Sequence, residues 1–384
     1  MSKNRRTFLK AAGGAGLMLV GAGALFTTTR RPSGALDAWD AAKASSSDAR
    51  LDVFRHAILA PNPHNRQPWQ IQLVGRDQAV IICDLDRRLP ETDPFDRQIT
   101  IGFGCFLELA RMAAAERGLR MDTTLFPQGE PVPRLTSAPI AHLRFVPDPG
   151  VAKDPLFGAI LIRRSSKVPF ASQRAVDART FDALTRAVGD GTAAFASSDP
   201  ALVADLRALT WRAWMIEATT RRTWQESVDL MRIGRSEIEA NPDGIALGGA
   251  VLEALALAGQ ISRKSLADPS SRAFKSGVDR YRAMLEQTPS YLWVTTPGNG
   301  RLVQIAAGRA YVRANLTAAA LGLGMHPVSQ AVQEFPEMAA EFDTLHRRLG
   351  VAPPQRIQML ARVGYAAAVD VSARWPLEAK LKSS

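Results

Sequence analysis

Two short stretches of this 384-residue chain carry residue types that could hold a bound molecule. The first is Pro61-Asn62-Pro63-His64-Asn65-Arg66-Gln67-Pro68-Trp69. Pro61 and Pro63 keep the backbone extended, and Pro68 removes a further main-chain donor. On that stiff turn sit three amides, Asn62, Asn65 and Gln67. An amide edge offers donor and acceptor together, which suits a heterocycle edge that presents both. The plainer alternative is a Pro-rich connection whose amides cap nearby backbone, and composition alone favours it. The second stretch is Arg163-Arg164-Ser165-Ser166-Lys167. A guanidinium fork grips phosphate oxygens bidentately, Ser165 can donate a hydrogen bond, and Lys167 adds a point charge. Alone, this stretch reads better as a solvated basic turn at a helix end.

Other chemistries find little support. The histidines, at 56, 64, 142, 326 and 346, show no metal-ligand spacing. G-x-S-x-G and Walker A patterns are absent, and Gly102-Phe103-Gly104 lacks the third glycine of a dinucleotide loop. Cys83 and Cys105 are each flanked by apolar residues, which points to buried thiols and not to a disulfide framework.

The elements that must position these stretches follow from periodicity. Leu36 to Ala60 is helical in pattern, with a break near Ser45-Ser46-Ser47, and the prolines end it. Alternation from Trp69 to Val74 predicts a strand, which Gly75-Arg76-Asp77 turns into a second over 79–83. A long helix is expected over Ile99 to Arg117, stopped by Gly118 and small-residue rich at Gly102, Gly104, Cys105 and 113–115. Strands are expected at 120–126 and 141–146, with a domain boundary at Pro147-Asp148-Pro149-Gly150. The second half predicts helices at 155–162, 177–188, 200–235 and about 245–259. After them come a strand at 291–295, a helix over 301–323 and an apolar strand at 357–363. Trp211, Trp214 and Trp224 read as packing residues of the long helix.

The first stretch resembles the P-S-x-x-N-x-Q-P-W loop of the nitroreductase family, through Pro61, Asn65, Gln67, Pro68 and Trp69. Asn62 and Pro63 stand where serines are common. Arg163 to Lys167 resembles that family's R-x-S-x-[RK] segment. Arg374-Trp375-Pro376 resembles its closing R-x-P segment, and Pro327-Val328-Ser329-Gln330 sits where it carries a P-I-x-G turn. The resemblance is closest to the Acg-like branch. It implies an α+β fold of two fused nitroreductase-like halves forming an intramolecular pseudo-dimer, each a small, mostly antiparallel sheet with surrounding helices. The halves are expected at 36–150 and 151–384, the latter with a helical insertion at about 200–275. The resemblance also implies flavin mononucleotide (FMN) as cofactor. Pro61, Asn62, Pro63, Asn65, Gln67, Arg163, Arg164, Ser165, Lys167, Pro327, Ser329, Gln330 and Arg374 would hold it, with Lys167 tuning the ring electrostatically. The loop motif occurs only in the first half and the basic segment only in the second, so one composite site per chain is expected.

The net charge of +11 suggests nucleic acid at first sight. Six of those charges, Lys3, Arg5, Arg6, Lys10, Arg30 and Arg31, lie within the first 31 residues, where no acid occurs. What remains is an ordinary surface and no basic stripe. Asn4-Arg5-Arg6-Thr7-Phe8-Leu9-Lys10, followed by an apolar Gly/Ala-rich segment from Ala11 to Phe26, resembles a twin-arginine export signal spanning 1–35. That route carries proteins already folded around a cofactor, so a periplasmic flavoprotein is expected, with membrane contact only through the signal. Its partners would be the export machinery, a small-molecule electron donor, and an acceptor such as a nitroaromatic or quinone. The chain would act as a monomer. The alternative function is a non-enzymatic flavin-binding or flavin-storage protein, since a periplasmic protein meets little reduced nicotinamide.

Overall fold

The computed structural model describes residues 31–189 and 191–382. The twin-arginine motif and the apolar segment behind it lie outside the described residues.

The α+β fold is built around two long helices, Arg97–Glu116 and Arg301–Ala320. Almost every side chain of the first is buried, as expected of a helix enclosed on all sides. The two cross at Gly104 and Gly308. With no Cβ at either position the backbones come into direct contact, and the Cys105 thiol reaches the Gly308 carbonyl at 3.2 Å. Arg97-x3-Ile101-x2-Gly104 in the first helix is matched by Arg301-x3-Ile305-x2-Gly308 in the second. Both arginines are buried and donate to main-chain carbonyls across the crossing, Arg97 to Val332 and Gln358 and Arg301 to Pro131 and Pro133.

A sheet lies on either side of this pair. The first runs β11-β1-β2-β4-β3, where β1 is Trp69–Val74, β2 Gln78–Cys83, β3 Leu119–Leu125, β4 Pro139–Pro147 and β11 Leu381–Lys382. The second runs β5-β8-β10-β9, where β5 is Ala193–Ser197, β8 Ser290–Pro297, β9 Gly324–Pro327 and β10 Gln355–Gly364. Apart from β11 the two orders are the same. Each sheet follows a short helix, Ala49–Ala57 or Ala178–Arg186, and each long helix connects the second strand of its sheet to the third. Pairing is antiparallel throughout, except that the tail strand β11 runs parallel to β1 and ties the C-terminus to the first sheet. One apolar core, including Trp69, Phe54, Phe106, Ile305, Tyr311 and Val363, runs through both sheets and both helices.

Several local expectations need correction. The helix foreseen over 200–235 is two, Pro200–Thr219 and Arg221–Asp229, broken where Thr220 takes an extended ψ of 111°. The Thr223 hydroxyl occupies the Glu217 carbonyl at 2.8 Å, an acceptor that a continuous helix would have used internally. After it, Met231–Ile233 (β6) pairs in parallel with Ile245–Leu247 (β7), so the expected helix shrinks to Ala250–Leu257. The helix expected at 155–162 is a single 3-10 turn, Phe157–Ala159, with Gly158 at its centre. Trp211, Trp214 and Tyr281 stack at centroid distances of 5.6 and 4.5 Å, with Trp224 and Phe274 edge-on beside them.

Candidate functional site

The proline-amide loop is a 3-10 turn, Pro63–Asn65, placed against the first long helix. Gly102 permits this approach, because a Cβ there would lie 3.1 Å from that of Asn62. His64, Asn65 and Gln67 all hold positive φ, at 45°, 52° and 49°, a cluster of strained backbone of the kind that persists where the surroundings over-determine it. The amides supply that determination. Asn62 donates to the Ala60 carbonyl and accepts from the Gln67 N–H at 2.7 Å. Asn65 donates to the Ala373 carbonyl and accepts from Arg374. Gln67, fully buried, donates to Pro242 and accepts from the Trp375 N–H. All three thus cap nearby or facing groups of the chain, which is the plainer of the two roles.

Arg163 and Arg374 arrive from segments far apart in sequence and meet just beyond the C-terminal end of helix Ala49–Ala57. Arg163 donates to the Leu59 carbonyl at 3.0 Å and to Asn315 at 3.2 Å. Arg374 donates to the carbonyls of Ile58, Leu59 and Ala60 at 3.2 Å each, and to Asn65 at 2.7 Å. Both are buried, and neither has a carboxylate partner among the described residues. Burial holds Arg374 down to about 9 and Arg163 to about 10, the charge of Arg163 adding to the effect on Arg374. The Arg163 Nε is buried without any partner. Arg164 lies over the Trp39 ring at 5.1 Å, with Arg374 over the same ring at 5.7 Å. Three guanidinium groups therefore gather at one end of the site.

Lys167 marks the other end. Its side chain is open to water yet walled by protein, so it lines a cleft. The surrounding protein holds its amine below the usual lysine range, against the opposing pull of Glu217. His64 faces the same cleft. Its Nδ1 is buried without a partner, and burial, with the charges of Lys167 and Arg66, holds it down to about 3. On the third wall, buried His326 accepts from Arg362 at 3.2 Å and feels the charge of Lys167. Pro327, Ser329 and Gln330 follow, half-buried, and the Gln330 amide reaches Tyr281 at 3.5 Å. Pro61, Pro63 and Ser165 are likewise half-buried. His64, Glu217, Tyr281 and Asn315 escape a motif-based reading. Only Glu217, a lone acid in the apolar run after Trp214, leaves a sequence signal.

Lys380 clamps the loop from behind. It is buried, donates to the Gln67 carbonyl at 2.8 Å, and is held down to about 7 chiefly by burial, with Arg87 adding. Between about pH 7 and its unfolded value near 10.4 the unfolded chain binds a proton that the native one does not. Stability is therefore expected to rise with pH across that window, by at most about 1.4 kcal/mol per unit. Chemical denaturation at a series of pH values checks this, and Lys380→Met should flatten the rise. A slope unchanged by that substitution would assign it to other groups.

Part of the chain is similar in sequence to a protein named as a nitroreductase. Over 127 residues it is 32% identical to "Putative NAD(P)H nitroreductase acg" of Mycobacterium tuberculosis, a match covering 33% of this chain and 37% of that protein. An uncharacterized protein of the same organism is 28% identical over 130 residues, which cover 31% of this chain and 36% of its own length. The match thus spans little more than a third of these relatives. No protein-family model matches the sequence. Among solved structures, a nitroreductase-like family protein from Bacillus cereus aligns over 61% of this chain and 97% of its own, at 15% identity and a TM-score of 0.32. A nitroreductase with bound FMN from Desulfitobacterium hafniense aligns over 61% and 100%, at 12% identity and a TM-score of 0.35.

Proposed function

We propose that the protein is an exported FMN-dependent oxidoreductase, holding one flavin per chain where the two sheet units meet and acting as a monomeric pseudo-dimer. The observation that carries this reading is the meeting of Arg163 and Arg374, two buried cations without a carboxylate. A helix C-terminus contributes about half a negative charge, too little to balance both guanidinium groups. An anionic ligand fits the remainder, and the unpartnered Arg163 Nε and His64 Nδ1 fit a ligand with acceptors at one end and a donor along its ring. Arg163, Arg164 and Arg374 would hold the phosphate end by charge. Lys167, His64 and the turn from Pro327 to Gln330 would face the ring. Ser165 and the backbone of Asn62 to Gln67 would line the span between them.

When bound, the flavin supplies hydride transfer between a reduced donor and an acceptor such as a nitroaromatic or quinone. The chain supplies orientation and electrostatics. Lys167 would supply positive charge to the reduced ring, and neutral His64 could accept at Nδ1 with the proton on its other nitrogen. The strained turn fixes His64 beside the first long helix, where Gly102 lets it approach.

The test is the visible spectrum of purified protein, followed by titration with FMN. A flavin band at one equivalent per chain is expected, and bleaching by NADPH or a quinol should follow anaerobically. Absence of any flavin binding would overturn the reading. A bound flavin that no donor bleaches would instead assign the protein to storage. Two equivalents would mean that the second, pseudo-symmetric site also binds flavin and that the single composite site is wrong. Export rests on Arg5 and Arg6. Replacing both by Lys should leave folded protein in the cytoplasm, and undiminished periplasmic protein would refute that part.

A further inference from the structure

We propose that Glu217, on the helix that covers the cleft, is a proton-handling residue that delivers a proton to the electron acceptor bound between itself and Lys167. The inference rests on the oxidoreductase reading above and gives the helical segment 200–275 a part in the chemistry.

Glu217 lies between Trp214 and Thr220 on helix Pro200–Thr219 and is buried, with 4% of its surface exposed. No cation lies within ion-pairing distance of it among the described residues. Its carboxyl is instead held by neutral donors. Gln333 Nε2 donates to one oxygen at 2.8 Å and the Ser227 hydroxyl to the other at 3.2 Å. The Gln330 amide also bonds to it, and Tyr281 Oη bonds to the Gln330 carbonyl oxygen. This chain of side chains joins a buried acid to Gln330 and Tyr281. Gln333 Oε1 is buried without a donor.

The titratable groups that face Glu217 are Lys167, Glu226 on helix Arg221–Asp229, and Tyr281 on helix Arg272–Glu286. Burial pushes the Glu217 carboxyl up, against the opposing hydrogen bonds from Gln333, Ser227 and Gln330 and with a smaller push from Glu226, while burial pushes the Lys167 amine down. Both groups move toward the range in which a proton is readily passed. Burying an acid without a cation is costly for the ionised form, which shifts Glu217 toward holding its proton.

The step balances. A two-electron reduction delivers hydride from a reduced flavin-class donor and leaves the acceptor with one negative charge. The Glu217 O–H bond breaks and an O–H or N–H bond forms on the acceptor. The carboxylate left behind faces the Lys167 ammonium until water restores its proton.

Glu217→Gln keeps the shape and can keep the contacts to Ser227 and Gln333. Infrared titration of flavin-free protein should show a carboxylic-acid band that persists above the ordinary glutamate range in the wild type and is missing in E217Q. No difference between the two would overturn the proposal, whether or not flavin binds. In flavin-loaded protein, E217Q should bind FMN as tightly as the wild type. It should slow the acceptor half-reaction about 100-fold at neutral pH and lose one limb of the pH profile. An unchanged rate and profile would also overturn it. Should E217Q fail to fold, Glu217→Asp decides: the band should remain while the rate falls with the shortened reach, and an unaltered rate would refute delivery. If the wild type binds no flavin, the functional reading fails, and the infrared comparison alone judges Glu217.

Discussion

Gly104→Ala and Gly308→Ala are each expected to abolish stable folding. A Cβ on Gly104 would lie 2.9 Å from the Gly308 Cα and closer still to the Ile305 carbonyl oxygen. A Cβ on Gly308 would lie 2.8 Å from the Gly104 Cα and closer still to the Ile101 carbonyl oxygen. These neighbours are backbone atoms of helices buried in one continuous core, so no side-chain rotation relieves the overlap. Separating the helices would open the core on both faces, and the cost of each substitution should exceed about 4 kcal/mol, among the larger single-residue effects. Because both methyl groups would enter the same crossing, the double variant should cost much less than the sum. Gly277→Ala supplies the contrast. It lies on the exposed face of helix Arg272–Glu286 with nothing near its would-be Cβ, and should stabilise by about 0.5–1 kcal/mol. Urea denaturation of the three single variants checks the order. A Gly104→Ala protein within 1 kcal/mol of the wild type, a bound set by the usual surface range, would mean that the crossing can spread.

That crossing was only half legible. The small residues of helix 97–116 announce a close approach, and β1 was readable to its end residues because Pro68 and strict alternation frame it. The shared Arg-x3-Ile-x2-Gly pattern of the two long helices is equally visible in sequence, yet three matched positions mean little until the structure shows both glycines at one point. Short strands were not readable. Ala193–Ser197 and Gly324–Pro327 hold few β-branched residues, and they are strands because the hydrogen-bonding edges of β8 and β10 are there to receive them. The break at Thr220 had no Gly or Pro to signal it, since it depends on a hydroxyl three residues further on. At the site, the motifs brought Arg163, Arg374 and Asn65 to one place, and the structure joins them through hydrogen bonds. What the motifs could not convey is the tertiary environment. Arg374 and Arg163 are buried without an acid, and Glu217 enters the site from a segment no motif covers.

Arg374→Met should erase the preference for FMN over riboflavin while leaving the stability of the ligand-free protein little changed. Two opposing terms set the second half of that expectation. Removing the guanidinium strips donors from the carbonyls of Ile58, Leu59 and Ala60 and from Asn65, at about 1–3 kcal/mol for any acceptor left dry. It also relieves the burial of a charge held down from 12.5 to about 9, a penalty on the order of 5 kcal/mol. The two are of similar size, so ligand-free stability is a poor reporter of what the residue is for. Ligand-linked stability is a better one. At a hundredfold excess over Kd a ligand adds about 2.7 kcal/mol to the native state, whatever the protein's own stability. FMN should do so for the wild type and, at the same concentration, much less for Arg374→Met. Because the Arg374 N–H groups are all taken by protein oxygens, the loss expected is that of its charge beside the phosphate and not of a direct hydrogen bond. Riboflavin, which lacks the phosphate, should stabilise both proteins alike. Arg163→Met should behave in the same way, because its guanidinium shares the Leu59 carbonyl with that of Arg374. Equal losses for both ligands would show that the arginines hold the loop and nothing else. The buried positive charge would then be only a helix cap.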